Sequence, residues 1–390
     1  MANEIRKELI EAKKLYQSKN YEGALEIYEK RYNENPDDLG EWDRRFYSWA
    51  IYQTSVKEFT DEEELVASVE KITELIPQAD LNESPTCAYT LSVFKVLDCL
   101  YKENDFYDLT FWLDKLNPEL LDDNKFEYND RTYPSKREKY YNYASKAYLE
   151  QQEYEQCIEI SKRALDDLSE FANSSDVWYN WRIAKSLKEL SRNEEAIEYL
   201  KEVSKAKRDW FVKKELAENY HIIGDNQTAS TYAGEAALTK DPALIKVNLY
   251  HLIYNILKDD EPEMAMKHAE LFVALKSESS SRIPDEIEDL MINEDELDKN
   301  ALEREIKQYW SQAKYKGQEL QYGTIVKIFD HGGAGFIMSN DDERHFFNMF
   351  EFKGDKSLVR EGMYVSFYTE KSFDKSKNQE SIIAVNIHEE

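Results

Sequence analysis

Glycine and proline are scarce, with 11 and 8 in a chain of 390 residues. An all-β or collagen-like protein needs more turn-forming residues than that, so most of the chain should be helical. Cysteine is scarcer still. Cys87, Cys99 and Cys157 are odd in number, widely spaced and each set in an apolar helical pattern. Buried free thiols in a reducing cytoplasm fit them better than disulfides or a metal site. No stretch approaches the ~18 apolar residues of a membrane span, and the amino end opens directly into an amphipathic pattern without the apolar core of a signal segment. Positive charge is also in deficit: 51 Lys and Arg against 79 Asp and Glu leave a formal net charge of -28. Such a surface repels phosphate backbones and anionic lipid, so any nucleic-acid contact must be a local site, whereas basic proteins or peptides are easier partners. The expectation is a soluble cytoplasmic protein with no membrane partner.

Catalytic patterns are missing as well. There is no Gly-x-x-x-x-Gly-Lys phosphate loop, and Gly332-Gly333-Ala334-Gly335 lies between strand-like runs rather than before a helix. The six His have no pair at metal-ligand spacing. Nothing orders Ser, His and Asp into a triad or nucleophile turn. Acidic pairs such as Asp122-Asp123 recur throughout so acidic a chain, so they carry no information about acid–base chemistry. A non-enzymatic protein without cofactor or metal is expected.

What is present begins with apolar material: 41% hydrophobic and 13% aromatic residues, enough to fold, over a length that calls for two or three domains. From residue 4 to about 275 the apolar spacing is helical, and the helices come in pairs. Ala12, Leu15 and Tyr16 end one helix, Ser18-Lys19-Asn20 turns, and Tyr21, Ala24, Leu25 and Tyr28 begin the next before Pro36 stops it. The same grammar recurs around Tyr141 to Ala164, Ile183 to Leu200 and Leu216 to Ala236. The small residue of each second helix serves as a ruler: Cys157, Ala196, Ala229 and Ala265 are 39, 33 and 36 residues apart. This spacing resembles the tetratricopeptide repeat, with its period of about 34 residues. Units at 5–38, 138–168 and 210–242 match best, while 40–135 reads as degenerate helical pairs.

The repeat resemblance implies a first-helix face that holds an extended peptide or a partner's helix. Helical phase places Lys139, Asn142, Lys146, Trp178, Trp181, Arg182, Lys185, Phe211, Lys214, Tyr250 and Tyr254 there. Trp and Arg are natural interface anchors, and the clustered cations point to an acidic or carboxylate-bearing ligand. Each ring could equally pack between neighbouring repeats. A solenoid also needs a cap. Residues 299–315 suit a terminal helix, started near Asp298 or Asn300, and Ser277 to Ser281 with the acidic run through Glu294-Asp295-Glu296 reads as a loop and an exposed helix.

At about residue 320 the pattern changes. Six of the 11 Gly follow that point, and period-two alternation appears near 322–329, 334–339, 344–350, 363–370 and 381–388, which reads as five short strands in a small closed barrel such as the OB-fold. Gly323-Thr324-Ile325-Val326-Lys327-Ile328-Phe329, Gly333-Ala334-Gly335-Phe336-Ile337, Phe346-Phe347-Asn348-Met349 and the run Lys356 to Phe367 resemble, in order and spacing, a cold-shock domain. That family stacks single-stranded RNA or DNA on aromatic side chains of adjacent strands. The resemblance implies base contacts at Phe336 and Phe346, Phe329 beside them and Lys327 near a phosphate. His331 and Arg344 are placed to supply local hydrogen bonds, and Asn348 completes the candidate nucleic-acid site. It also departs from the family: Ile328 replaces a tryptophan, Ala334 a phenylalanine, Asn348 a histidine and Met349 another aromatic, while Asp355 occupies a loop position that often carries one.

Each stacking residue is worth ~1–3 kcal/mol, so losing several takes a micromolar site into the millimolar range. Residues 321–390 carry 8 Lys or Arg against 12 Asp or Glu, so charge does not compensate. Two readings stand at this point: an adaptor whose solenoid (1–275) holds a protein and whose barrel (320–390) weakly binds single-stranded nucleic acid, RNA rather than DNA, or a purely protein-binding scaffold. An acidic linker and capping helix (276–319) would join the two parts.

Overall fold

The computed structural model describes residues 2–83, 86–276, 283–290, 292–315, 318–374 and 379–390. The chain divides into two compact units, Met1–Ala233 and Gly234–Glu390.

The first unit is built from antiparallel helix pairs: α1 (Ala2–Gln17) with α2 (Tyr21–Glu34), α3 (Glu41–Ile51) with α4 (Glu62–Leu75), and α5 (Ala88–Glu103) with α6 (Phe106–Leu113). After a small hairpin come α7 (Lys136–Glu150) with α8 (Tyr154–Asp167), α9 (Ser175–Glu189) with α10 (Asn193–Ala206), and α11 (Trp210–Ile222) with α12 (Asn226–Ala237), of which the residues from Gly234 on belong to the second unit. The first turn shows how sequence sets a pair. Lys19 takes a left-handed conformation (φ 63°), and the Asn20 side chain accepts the Gly23 amide to cap α2. Small residues let helix axes approach: Ala12, Ala24, Cys157, Ala196, Ala229 and Ala265 are all buried. The repeat ruler therefore marks true helix crossings. Cys87 and Cys157 are buried and Cys99 is half-buried, all as free thiols.

The hairpin, β1 (Phe126–Tyr128) with β2 (Arg131–Tyr133), lies in the stretch expected to be helical only. Asn129 and Asp130 both have positive φ, 49° and 58°. This is the two-residue turn whose twist suits a hairpin.

The second unit contains α13 (Val247–Leu257), α14 (Pro262–Lys276), a single turn α15 (Asp285–Glu288) and α16 (Lys299–Ala313). Of the expected loop and exposed helix, Ser277–Ser281 lies outside the described residues, and Glu294–Glu296 is one 3-10 turn rather than a helix. The terminal helix starts as expected, with Asp298 accepting the Ala301 amide. Its face Leu302, Ile306 and Trp310 is buried. Trp310 lies against Gly234, where a Cβ would stand 2.3 Å from the ring, and its Nε1 donates to His268 Nε2 at 2.9 Å. Beyond α16, Tyr315 stacks on Tyr368 at 4.5 Å and Lys314 pairs with Glu370.

Strands β3 (Gln321–Ile328), β4 (Ala334–Ser339), β5 (Arg344–Asn348), β6 (Tyr364–Asp374) and β7 (Gln379–Glu389) close into a barrel in the order β3-β4-β5-β7-β6. β5 and β7 run parallel and the other pairs antiparallel. Ile325, Ile337, Phe347, Val365, Phe367, Ala384 and Ile387 fill the interior. A helical-repeat solenoid followed by a closed five-stranded barrel is thus the architecture. Among the described residues no helix is long and apolar enough to cross a membrane.

Candidate functional site

Strand alternation divides the barrel residues between interior and surface. On β5, His345 and Phe347 are buried, whereas Arg344, Phe346 and Asn348 face outward. On β4, Ile337 points in and Phe336 out. Phe336 lies directly opposite Phe346, and neither belongs to the interior cluster. Phe329 completes the group, 5.4 Å from Phe336 and 6.3 Å from Phe346 between ring centroids.

A bulge between Ile325 and Lys327 sets the other strand. The inserted residue, Val326, resets the alternation, so Lys327 faces solvent opposite Phe336. The same reset packs Ile328 partly against the interior cluster, where Met349 also lies. Ile328 and Met349 are thus both turned toward the core rather than presented on the outer face.

The expected pair of open, neighbouring ring faces is altered. Phe336 and Phe346 stand nearly perpendicular, at 76°, and the Arg344 guanidinium covers the Phe336 ring at 3.8 Å. All three phenylalanines are half-buried. Arg344 thus acts as a lid on a ring as well as a charge. Lys327 and Arg344 are exposed and make no ion pair among the described residues. His331 is exposed beside Phe329 at 5.6 Å, its Nδ1 accepting the Gly333 amide at 3.0 Å. Asn348 is half-buried opposite Ala334.

One ring escaped the sequence reading. Phe350 is 64% exposed because β5 ends at Asn348 and a 3-10 turn, Met349–Glu351, swings it out. The strand expected over 344–350 is shorter than that, and no local signal marked its end.

Gly335 is what allows this face to form. A Cβ there would sit 2.3 Å from the Lys327 carbonyl oxygen and 2.7 Å from the Phe347 ring. Gly335→Ala is expected to cost about 3 kcal/mol, the upper range for overpacking, since a backbone atom cannot yield as a side chain does. Amide exchange in β3 and β4 should accelerate; a variant with wild-type protection would sink this account.

The first-helix face differs from expectation more widely. Arg182 is buried, not an exposed anchor. It donates to Ser145 Oγ at 3.0 Å and to Asn142 Oδ1 at 2.9 Å, tying α9 to α7, and burial pushes its pKa down despite nearby Tyr179. Tyr250 is also buried, 6.3 Å from His268. Trp181 and Phe211 pack against Val177, Val203 and Val212, as inter-repeat rings do. Trp178, half-buried, stacks on Phe211 at 6.3 Å, and Tyr254 is half-buried beside Lys258. Lys146 lies over Tyr101 at 4.6 Å, and Lys139 pairs with Asp98 at 2.6 Å.

The remaining lysines already have carboxylate partners. Lys185 and Lys188 reach Glu215 at 3.1 and 3.6 Å, and Lys188 and Lys214 reach Glu218 at 2.8 and 2.9 Å. Burial raises the Glu218 carboxyl, but Lys214 and Lys188 outweigh it and hold the pKa at about 2. Lys139, Lys185 and Lys214, read as part of a site for an acidic ligand, instead pair with this chain's own acids.

No family model matches the chain, and no curated protein matches it. Solved structures similar to it include a tetratricopeptide repeat protein from Parabacteroides merdae, 14% identical, covering 74% of this chain and 97% of that one with a TM-score of 0.35. Another is the C-terminal part of a TPR repeat-containing protein from Cytophaga hutchinsonii, 11% identical, covering 79% and 94% with a TM-score of 0.33. A third is the human IFIT1 dimer with m7Gppp-AAAA, 14% identical, covering 77% and 69% with a TM-score of 0.38.

Proposed function

We propose that the protein is a non-enzymatic adaptor whose helix pairs hold a protein partner while the outer face of β3, β4 and β5 weakly binds single-stranded nucleic acid, RNA rather than DNA, in the manner of a cold-shock domain. One observation carries the reading: Phe329, Phe336 and Phe346 gather outside the barrel core, beside Lys327 and Arg344, which have no carboxylate partner among the described residues. Bases stack on such rings with little regard to sequence, at ~1–3 kcal/mol per platform residue. For Phe336 to receive a base, Arg344 must swing off the ring toward a phosphate, which explains why binding is weak yet local.

Two cations release few counterions, so the slope of log affinity against log salt should be only about -1.4. Fluorescence anisotropy of the full chain with a labelled oligouridine at low salt tests the reading. Phe336→Ala should weaken binding about tenfold. Absence of binding at high micromolar concentration, or indifference to Phe336→Ala, ends it.

A second reading, a scaffold whose barrel touches only protein, draws on the inward-turned Ile328 and Met349. Partners captured unchanged after nuclease treatment would favour it.

A further inference from the structure

A different aromatic pair lies where β3 meets β6. Thr324 is opposite Tyr364 and Tyr322 opposite Ser366. The Tyr322 and Tyr364 rings stack 6.3 Å apart at 16°, yet remain 39% and 43% exposed. At that separation the near-parallel rings are offset and overlap little, so each keeps exposed ring surface. Asn340 fixes the pair: its Nδ2 donates to the Tyr364 hydroxyl at 2.9 Å, and its backbone N–H donates to the Tyr322 carbonyl at 2.9 Å.

The same contacts bring in charge. Asp341 and Asp342 follow Asn340 in the β4–β5 turn. On the other side, Glu389 lies opposite Val365 and the Glu390 amide donates to the Tyr364 carbonyl at 3.2 Å. All four carboxylates are exposed, and none forms an ion pair among the described residues. The local charge is therefore opposite to that beside Phe336. A phosphate would be repelled here, and an apolar partner would leave the acids unmatched. A guanidinium answers both features, because it lies flat on an aromatic face and donates in parallel to a carboxylate.

We propose that Tyr322 and Tyr364, rimmed by Asp341, Asp342, Glu389 and Glu390, form a docking surface for an arginine-bearing segment of a protein partner. This surface is independent of the nucleic-acid reading. Arginine is preferred to lysine because the compact, strongly hydrated ammonium gains less from the ring and cannot bridge two oxygens in a fixed plane.

The test is fluorescence anisotropy of the full chain with a labelled peptide of about ten alternating Arg and Gly, and its Lys–Gly counterpart, at about 150 mM salt, where diffuse attraction is screened. The double variant Tyr322→Ala/Tyr364→Ala leaves net charge untouched. It should bind the Arg peptide about tenfold more weakly, the combined loss of two exposed cation–π contacts. Asp341→Asn/Asp342→Asn, on an exposed turn where Asn tolerates the positive φ of Asp342 (62°), should also weaken binding and guards against misfolding of the tyrosine variant. Tyr364→Phe, which keeps the ring, should bind like wild type. Equal affinity for Arg and Lys peptides, no binding of the Arg peptide, or full binding by both double variants would overturn the proposal. A tyrosine variant that loses oligonucleotide but not peptide binding would overturn it too, by placing nucleic acid on this surface.

Discussion

Trp310→Ala should destabilise the second unit by about 3–5 kcal/mol, the range for truncating a large buried aromatic. Trp310 is only 3% exposed, and Gly234 is shaped to receive it, with no room for a Cβ beside the ring. Truncation empties that contact and also removes the donor to His268 Nε2, leaving a buried acceptor that costs about 1–3 kcal/mol when unpaired. The ring edge toward His268, 5.8 Å between centroids, goes with it. Hydrogen exchange of α14 amides is the measurement, since α14 carries His268 and packs on α16. An acceleration of about 100-fold or more corresponds to the lower end of the range. Trp310→Phe, which keeps most of the volume against Gly234, should recover the larger part. If alanine and phenylalanine variants exchange alike, the packing account of α16 is wrong.

The contrast between Trp310 and Arg182 shows which parts of this fold the sequence discloses. Trp310 follows Leu302 and Ile306 at helical spacing, so its inward face was legible from periodicity alone. The repeat pairs were legible for the same reason: Ala24, Cys157, Ala196 and Ala229 sit where two helix axes cross, and only small residues fit. In the barrel, glycine positions and alternation located each strand to within a few residues.

Long-range electrostatics was not legible. Lys185 and Glu215 are 30 residues apart, on α9 and α11, and only the helix packing brings them to 3.1 Å. Phase put Arg182 on the first-helix stripe but could not tell that Asn142 and Ser145 would absorb its donors and bury it. Ile328 was turned toward the core through one bulge residue, Val326, a register event with no glycine or proline to announce it. The hairpin at Asn129-Asp130 did carry a signal, two residues that tolerate positive φ between β-type runs, and a helical expectation over the whole of 40–135 obscured it.

Acid should weaken the second unit in a window set by His268. The side chain is fully buried. Its Nδ1–H donates to the Met264 carbonyl at 2.8 Å, while Nε2 accepts from Trp310, so both nitrogens are committed to the neutral tautomer. Burial lowers the pKa from 6.5 to about 4, the Met264 hydrogen bond opposing only in part. The neutral form is thus favoured in the folded state, and the unfolded chain binds the proton first as pH falls. Stability from this group is complete above pH 6.5, declines below it, and is fully lost below about pH 4. The whole loss is about 3 kcal/mol, of which about 2 kcal/mol is gone by pH 5. Urea unfolding from pH 7.5 to 4.5, compared with His268→Gln, isolates the effect, because glutamine can accept from Trp310 Nε1 but does not titrate. The variant should start less stable at pH 7.5 and lose less on acidification, so that the two curves converge toward pH 4.5. Parallel curves would mean that His268 takes up its proton without leaving the fold, and that the acid sensitivity belongs to carboxylates instead.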